Sequence, residues 1–338
     1  MVSIIIPTVN RAALLLQTLE SIADLKTDVA LFEVIVVDNC SSDNTKQTVD
    51  GFKLKNQNLS VFYFFEEIPG LLSARHRGFF EAKGYILAFI DDDVILTQNW
   101  LNAIIETLHV RTDISLLTGP TLPKYEEIPP VWLDHFWTED IHGKHCGWLS
   151  LMDFGNQIKE IDAIFVWGLN FIIRKESLIS LQGFNPDNVP NSMQEYQGDG
   201  ETGLAIKAKE KNFKALYHPE VKLFHVVPKE RLTHEYFEKR AFYQGVANSF
   251  TALKNTVIEN HMISKPSLIK KIKRKIFKTI GITKQNILPL DIIELKAQLQ
   301  SKEKEGFQFH QEAYRNNALV KIWVEKENYL DYNLPNNA

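Results

Sequence analysis

The chain has 338 residues, 44% hydrophobic and 24% charged, with 16 Gly and 13 Pro. These proportions exclude disorder, a collagen-like repeat and a coiled coil, and leave room for one large α/β domain with an appendage. Against 42 acidic residues stand 38 Lys and Arg, a formal charge of −4, so no global basic field exists to hold nucleic acid. Two cysteines, Cys40 and Cys146, form no disulfide framework and match no zinc-ligand spacing, which points to a reducing compartment and a cytoplasmic location. Neither a signal peptide nor a spanning segment is expected. Met1 runs straight into a buried-strand pattern, and uncharged stretches such as 241–253 fall short of the ~20 apolar residues a spanning helix needs.

Through the first 120 residues short β-branched runs alternate with helical patterns, the signature of βαβ units on a mostly parallel sheet. Strands are expected at 4–6, 32–37, 61–65 and 85–90, and helices at 12–25, 44–53, 72–83 and about 100–108. A fifth strand at 115–118 leads into a stretch to about 150 that reads as loop. Its Trp132, His135, Trp137, His142, His145 and Trp148 would shape a pocket or a lid. Regular structure returns with an apolar run at 163–173, helices at 175–181 and 201–211, and strands at 215–217 and 221–226. From 232 onward the pattern is helical, with later helices at 292–300 and 313–326. A boundary near 255 separates residues 1–255 from a helical extension, 256–338.

Ligand sites in such sheets lie at the carboxyl ends of the strands. Three of those ends carry polar groups. Asp91-Asp92-Asp93 leaves the buried strand Ala88-Phe89-Ile90, where clustered carboxylates repel unless something positive binds them. A divalent cation with hard oxygen ligands, Mg2+ or Mn2+, fits, and so does an acidic turn capping the next helix. Asp38 ends the second strand, where a carboxylate accepts hydrogen bonds from a base or ribose or simply closes a turn. Arg75 and Arg77 lie on the helix at 72–83, suited to phosphate or to solvent.

Taken together, Pro7-Thr8-Val9-Asn10-Arg11, Val36-Val37-Asp38-Asn39, Ala74-Arg75 and Asp91-Asp92-Asp93, in this order and spacing, resemble the family 2 glycosyltransferases over roughly residues 1–250. The resemblance implies a GT-A fold: Rossmann-like α/β, a mostly parallel central sheet with flanking helices, followed here by a helical C-terminal extension. It implies a nucleotide-sugar-binding half at 1–120 and an acceptor-binding half at 121–255. Pro7, Thr8, Asn10, Arg11, Asp38, Arg75, Asp91 and Asp92 would then hold the donor nucleotide. Asp91, Asp92 and Asp93 would form the D-x-D region, with Asp93 and Asp91 on Mn2+ or Mg2+. His225, at the end of an alternating strand, stands where related enzymes often place a metal-binding histidine, although a lone strand histidine is as often structural. Trp167, Gly168 and Asn170 resemble the segment beside the acceptor.

The family usually opens a helix with a Glu-Asp pair that supplies the general base, and this chain departs from that pattern. Gln197-Gly198-Asp199-Gly200-Glu201 puts Glu201 at the base position, with Asp199 the second choice. The implied activity is single, inverting displacement of a sugar from a nucleoside-diphosphate sugar, by family habit a UDP-sugar, to a hydroxyl in surface-polysaccharide or lipid-linked glycan assembly.

Residues 265–284 hold eight basic residues and no acid, with Ile269, Ile272, Ile276 and Ile280 at helical spacing. Such a helix suits an anionic membrane surface, giving peripheral contact with the inner face of the plasma membrane, or packs its isoleucines on the catalytic domain. Two other enzyme classes fit poorly. The first turn lacks the G-x-G-x-x-G of dinucleotide enzymes, and the acid cluster lies on the fourth strand rather than the first, unlike haloacid-dehalogenase-type phosphatases. The remaining alternative is a non-catalytic nucleotide-sugar or lipid-surface-binding protein that keeps the fold.

Overall fold

The computed structural model describes residues 1–263 and 288–335. The chain opens with β1 (Val2–Thr8), α1 (Ala12–Ala23), β2 (Phe32–Asp38), α2 (Thr45–Lys55), β3 (Val61–Phe65), α3 (Leu71–Glu81) and β4 (Ile86–Ile90). Then come β5 (Val94–Leu96), α4 (Trp100–Val110), β6 (Ile114–Thr118), β7 (Thr121–Tyr125), β8 (Thr138–Glu139), β9 (Lys144–Cys146), β10 (Leu151–Asp153) and β11 (Lys159–Ile161). Next come β12 (Asn170–Arg174), α5 (Lys175–Ser180), α6 (Gly200–Glu210), β13 (Lys214–Tyr217) and β14 (Leu223–Val227). Helices α7 (His234–Ile263), α8 (Leu290–Asn316) and α9 (Ala318–Glu325) follow.

The main sheet has eight strands in the order β11-β13-β6-β12-β4-β1-β2-β3. Pairing is parallel except at β12, which runs antiparallel to β4 and β6, and at β11, antiparallel to β13. The sheet is therefore mostly parallel, and helices cover both faces. Successive side chains of a strand point to opposite faces. Ile4 and Ile6 accordingly join Leu15, Leu19, Trp100 and Ile104, while Ile5 joins Leu72, Phe79, Leu204 and Trp323. Crossovers of this kind put β4, β1 and β2 side by side, so their carboxyl ends open on one crevice.

The stretch expected to be loop, up to about residue 150, instead carries β7, β8 and β9 of a second sheet, ordered β5-β14-β7-β10-β9-β8. These strands have two to five residues, too short to show alternation, and β7 contains Pro123. The aromatics of this stretch do not form a free lid. Trp132 and Trp148 lie on Phe237 of α7, at 4.9 and 5.1 Å between ring centres, in a small core that includes Leu295 and Leu299 of α8. Two predicted elements are divided. The apolar run at 163–173 is a short turn, Ala163–Phe165, then a break at Trp167-Gly168 before β12. The run at 313–326 breaks at Asn317, whose side chain accepts from the Leu319 N–H at 3.0 Å and starts α9.

Val320, Trp323, Val324 and Tyr329 share one core with Phe184 and Phe250, and Tyr332 donates to Glu66 Oε2 at 2.8 Å, closing the tail against the end of β3. Among the described residues no helix is long and apolar enough to cross a membrane. The basic stretch 265–284 lies outside the described residues.

Candidate donor and acceptor cleft

A cleft of about 980 Å³ opens at the strand ends, walled by the Pro7–Arg11 loop, the Asp91-Asp92 turn, the start of α6 and one face of α7. The Pro7–Arg11 loop is pinned from both sides. Thr8 donates to Asp92 Oδ2 at 2.6 Å, and Arg11 Nη1 donates to Asp92 Oδ1 and Asp93 Oδ2, each at 3.0 Å. Asn10 adopts a left-handed φ of 54° and its Oδ1 accepts from the Ser42 N–H at 2.7 Å, which ties this loop to the one after β2. Asp38 is buried just behind that junction, accepting from the Ser41 N–H at 2.9 Å and from Tyr63 OH at 2.7 Å. Asn39, not Asp38, reaches the cleft wall.

The three acids experience different fields. Burial and the nearby Asp93 charge push the Asp91 carboxyl up, and Asp91 faces the cleft. Burial raises Asp92 to about 6, against the pull of Arg11. Burial would raise Asp93 too, yet the guanidinium groups of Arg231 at 2.9 Å and Arg11 at 3.0 Å hold it well below the usual carboxylate range. His225 is buried, and its ring is oriented by two partners. Arg231 Nη1 donates to Nε2 at 2.7 Å, so the ring proton sits on Nδ1 and goes to the Leu149 carbonyl at 2.9 Å. Nε2, its lone pair taken by Arg231, also lies 3.6 Å from Asp93 Oδ1, and that buried oxygen has no hydrogen-bond partner.

An orphaned carboxylate oxygen 3.6 Å from an imidazole nitrogen suits a divalent cation once Arg231 gives up that nitrogen. Among the described residues no group of three or more His, Cys, Asp or Glu forms a complete cage. Two protein ligands completed by donor phosphates are what Mg2+ commonly accepts. Arg231 carried no signal in the sequence, because it lies outside any pattern and six residues beyond His225 on a turn, Lys229–Leu232.

On the opposite wall, α6 begins with Asp199 at its N-cap position. Both Asp199 oxygens are already engaged, by Asn185 Nδ2 at 2.7 Å and Thr251 Oγ1 at 2.6 Å, so this acid binds α6 to α7. Glu201, in the first turn of α6, faces the cleft and accepts from Arg75 Nη1 at 3.3 Å and from the Gly168 N–H at 3.4 Å. Burial pushes it up, but the Arg75 charge and these hydrogen bonds hold it below its ordinary value, ionised at neutrality.

Arg75 is almost fully buried, with its guanidinium 5.0 Å from the Phe184 ring centre. It orients Glu201 and does not line the cleft. A Cβ at Gly168 would lie 2.2 Å from Arg75 Nη2, so only glycine leaves room for this pair. Trp167 donates its indole N–H to the Ile164 carbonyl at 3.0 Å and packs on the core. Asn170 is wholly buried, accepting from Trp100 and donating to the Val221 carbonyl, and thereby has no face for an acceptor.

Sequence reasoning missed Asp187. Its Oδ1 accepts from Gln197 Nε2 at 2.9 Å, and its Oδ2 lies 2.6 Å from where a Cβ at Gly200 would stand. The carboxylate therefore fills the space beside Glu201 that a side chain at 200 would take, and Gly200 has φ +52°, which glycine tolerates best. Burial and the Glu201 charge push Asp187 up to about 7. The departure from the Glu-Asp pattern at Gly200 was the available signal. Along α7, Tyr236, Lys239, Arg240, Tyr243, Gln244 and Asn248 complete the wall.

A mostly parallel sheet with acids at its central strand ends, facing a helix-borne carboxylate across one cleft, defines a GT-A architecture. The mannosyltransferase PcManGT from Pyrobaculum calidifontis, solved with GDP-Man and Mn2+, shares that fold at TM-score 0.53 and 17% identity, over 98% of this chain and 84% of its own. The model of glycosyl transferase family 2 matches residues 3–181, more than half of the chain, and the protein belongs to that family. Validoxylamine A glucosyltransferase of Streptomyces hygroscopicus subsp. jinggangensis is 36% identical over 206 residues, 55% of this chain and 47% of that protein. Glycosyltransferase AglE of Haloferax volcanii is 34% identical over 118 residues, 35% of this chain and 38% of its own. The matched regions thus span less than half the length of these two relatives.

Proposed function

We propose that the protein is a metal-dependent, inverting glycosyltransferase that moves one sugar from a nucleoside-diphosphate sugar, a UDP-sugar by family habit, to an acceptor hydroxyl. The carrying observation is that one cleft holds Asp91 and His225 on one wall, with the buried Asp93 3.6 Å from His225, and the ionised, cleft-facing Glu201 on the other. The Pro7–Arg11 loop and Asn39 border the nucleotide pocket, with Asp38 bracing them from behind. Asp93 and His225, with Asp91 beside them, would hold Mn2+ or Mg2+ together with the donor phosphates. Such a cation, when bound, neutralises charge growing on a departing diphosphate.

Glu201 has both oxygens oriented by Arg75 and Gly168 and accepts the acceptor hydroxyl's proton as the new glycosidic bond forms and the diphosphate leaves. Asp199, spent on Asn185 and Thr251, secures the helix that carries Glu201. The α7 face, with Tyr236 and Tyr243 as flat apolar surfaces, forms the acceptor wall. The acceptor belongs to surface-polysaccharide or lipid-linked glycan assembly, with residues 265–284 in peripheral contact with an anionic membrane.

The test is to incubate the protein with a panel of nucleotide sugars and simple acceptors, follow nucleoside diphosphate release, and read the product anomer by NMR. The reading predicts release that depends on a divalent cation and a product anomer opposite to the donor's. Retention of configuration, or turnover indifferent to chelation, contradicts it.

A further inference from the structure

Arg231 is the least expected group in the cleft, because its fork spans the two proposed metal ligands at once. Nη1 donates to His225 Nε2 at 2.7 Å and Nη2 to Asp93 Oδ2 at 2.9 Å. Those are lone pairs that a cation at this site would use. Arg11 reaches the same Asp93 oxygen from the other side at 3.0 Å, so two guanidinium groups neutralise Asp93 while its Oδ1 stays unpartnered. Burying a carboxylate without such partners is strongly unfavourable, and this pairing keeps the site intact before any ligand arrives.

We propose that Arg231 is an exchangeable counter-ion. It occupies the Asp93–His225 pair in the donor-free protein, cedes that pair to the divalent cation when the donor binds, and turns its fork to the donor's diphosphate. The inference rests on the metal reading of Asp93 and His225 given above.

Two features of the geometry support the exchange. The side chains of Asp93 and His225 are 1% and 3% exposed, whereas that of Arg231 is 18% exposed, so it stands at the solvent side of the pair with the cleft before it. A planar fork of parallel N–H donors also fits carboxylate and phosphate equally well, so the same group serves both partners. Arg231 is in this sense a positioning residue for the cation and a direct ligand for the diphosphate.

The consequence is coupling. A cation binding alone competes with Arg231, whereas a diphosphate gives Arg231 a new partner, so each ligand strengthens the other by the same factor. This makes the cation site selective for metal that arrives with a donor.

The experiment measures Mn2+ binding to the full chain by loss of the free-ion electron paramagnetic resonance signal, with and without UDP, for wild type, Arg231→Gln and Asp93→Asn. Thermal unfolding of each variant confirms that it is folded. The proposal predicts that Arg231→Gln binds Mn2+ alone roughly tenfold or more tightly than wild type, the effect of releasing charged hydrogen bonds. UDP should sharpen Mn2+ binding in wild type and do so far less in the variant. Removing the positive charge alone would also tighten Mn2+ binding, but it would leave the UDP effect intact, so the lost coupling to UDP is what marks the exchange. If Arg231→Gln binds Mn2+ no better than wild type while Asp93→Asn abolishes binding, the exchange is wrong and the metal site stands. If Mn2+ binding survives Asp93→Asn, or is absent from wild type and Arg231→Gln alike, the metal reading falls and the exchange with it.

Discussion

Glu201 is the cleft acid whose surroundings both orient it and keep it charged, and that separates it from Asp199 two residues earlier. Asp199 has no oxygen free of Asn185 and Thr251, while Glu201 meets Arg75 and Gly168 and still faces the cleft. Glu201→Gln preserves shape and removes the proton acceptor; turnover should fall about 10²–10⁴-fold with donor affinity within a few-fold of wild type, as read by steady-state kinetics and donor titration. Asp187 acts in the opposite electrostatic sense. Its carboxyl is raised to about 7 in the fold, so it contributes stability below its unfolded value near 4, and that contribution is lost as pH rises through about 7. His76 and His310, pushed down by burial to about 3 and 4, work against this over the same interval, so the measurement is a difference. Asp187→Asn should be most favourable relative to wild type above about pH 7, with the melting-temperature gap moving toward wild type as pH falls to about 4; a gap constant with pH contradicts the assignment. At this scale Glu201 and the acids at 91–93 were legible because they stand where strands and helices open. Asp187 and Arg231 were not, and Arg75 was singled out for the nucleotide rather than for Glu201, since these roles arise from contacts between segments far apart in the chain.

Elements carry the site by close approach. The α7 helix contributes the outer wall of the cleft and is held against α8 by reciprocal glycines: a Cβ at Gly245 would lie 1.9 Å from the Glu303 carbonyl oxygen, and one at Gly306 would lie 2.0 Å from that of Phe242. These are backbone atoms, which cannot rotate away. Gly306→Ala should therefore cost about 1–3 kcal/mol despite alanine's better helix propensity, seen as a lower urea midpoint at unchanged slope. An unchanged or higher midpoint would mean that the helices pass at ordinary distance. The pattern of the sequence revealed the helices and parallel strands of the first 120 residues, because burial on both faces forces apolar β-branched runs such as Ile4-Ile5-Ile6. It concealed β7, β8 and β9, whose two to five residues are too few to display a period, and the division at Asn317, where a capping side chain interrupts an apolar run that continues on both sides.

For the whole molecule, the order β4-β1-β2 gathers three polar strand ends, and the antiparallel β12 brings its leading Gly168 to the same level as Glu201. The gathered strand ends follow from βαβ winding and were expected, whereas the antiparallel β12 was not. The second sheet and the returning tail were not, since β14 delivers His225 to Asp93 only through pairing with β5, which directly follows the acids. Val320, Trp323, Val324 and Tyr329 lie in the same core as Phe250. A chain ending at residue 263 would leave those contacts empty, several side chains worth about 1.5–3 kcal/mol each, and should lose cooperative thermal unfolding; a truncated chain that melts sharply near the full-length temperature contradicts this dependence. The central claim is that Asp93 and its neighbours hold a nucleoside diphosphate through a divalent cation. The most direct measurement is calorimetric titration with UDP, GDP and dTDP, in Mn2+ and after chelation, on wild type and Asp93→Ala. The account predicts that one nucleotide binds wild type in Mn2+, and that chelation or the substitution abolishes the binding. Binding indifferent to both metal and Asp93, or no binding of any of the three, would contradict it.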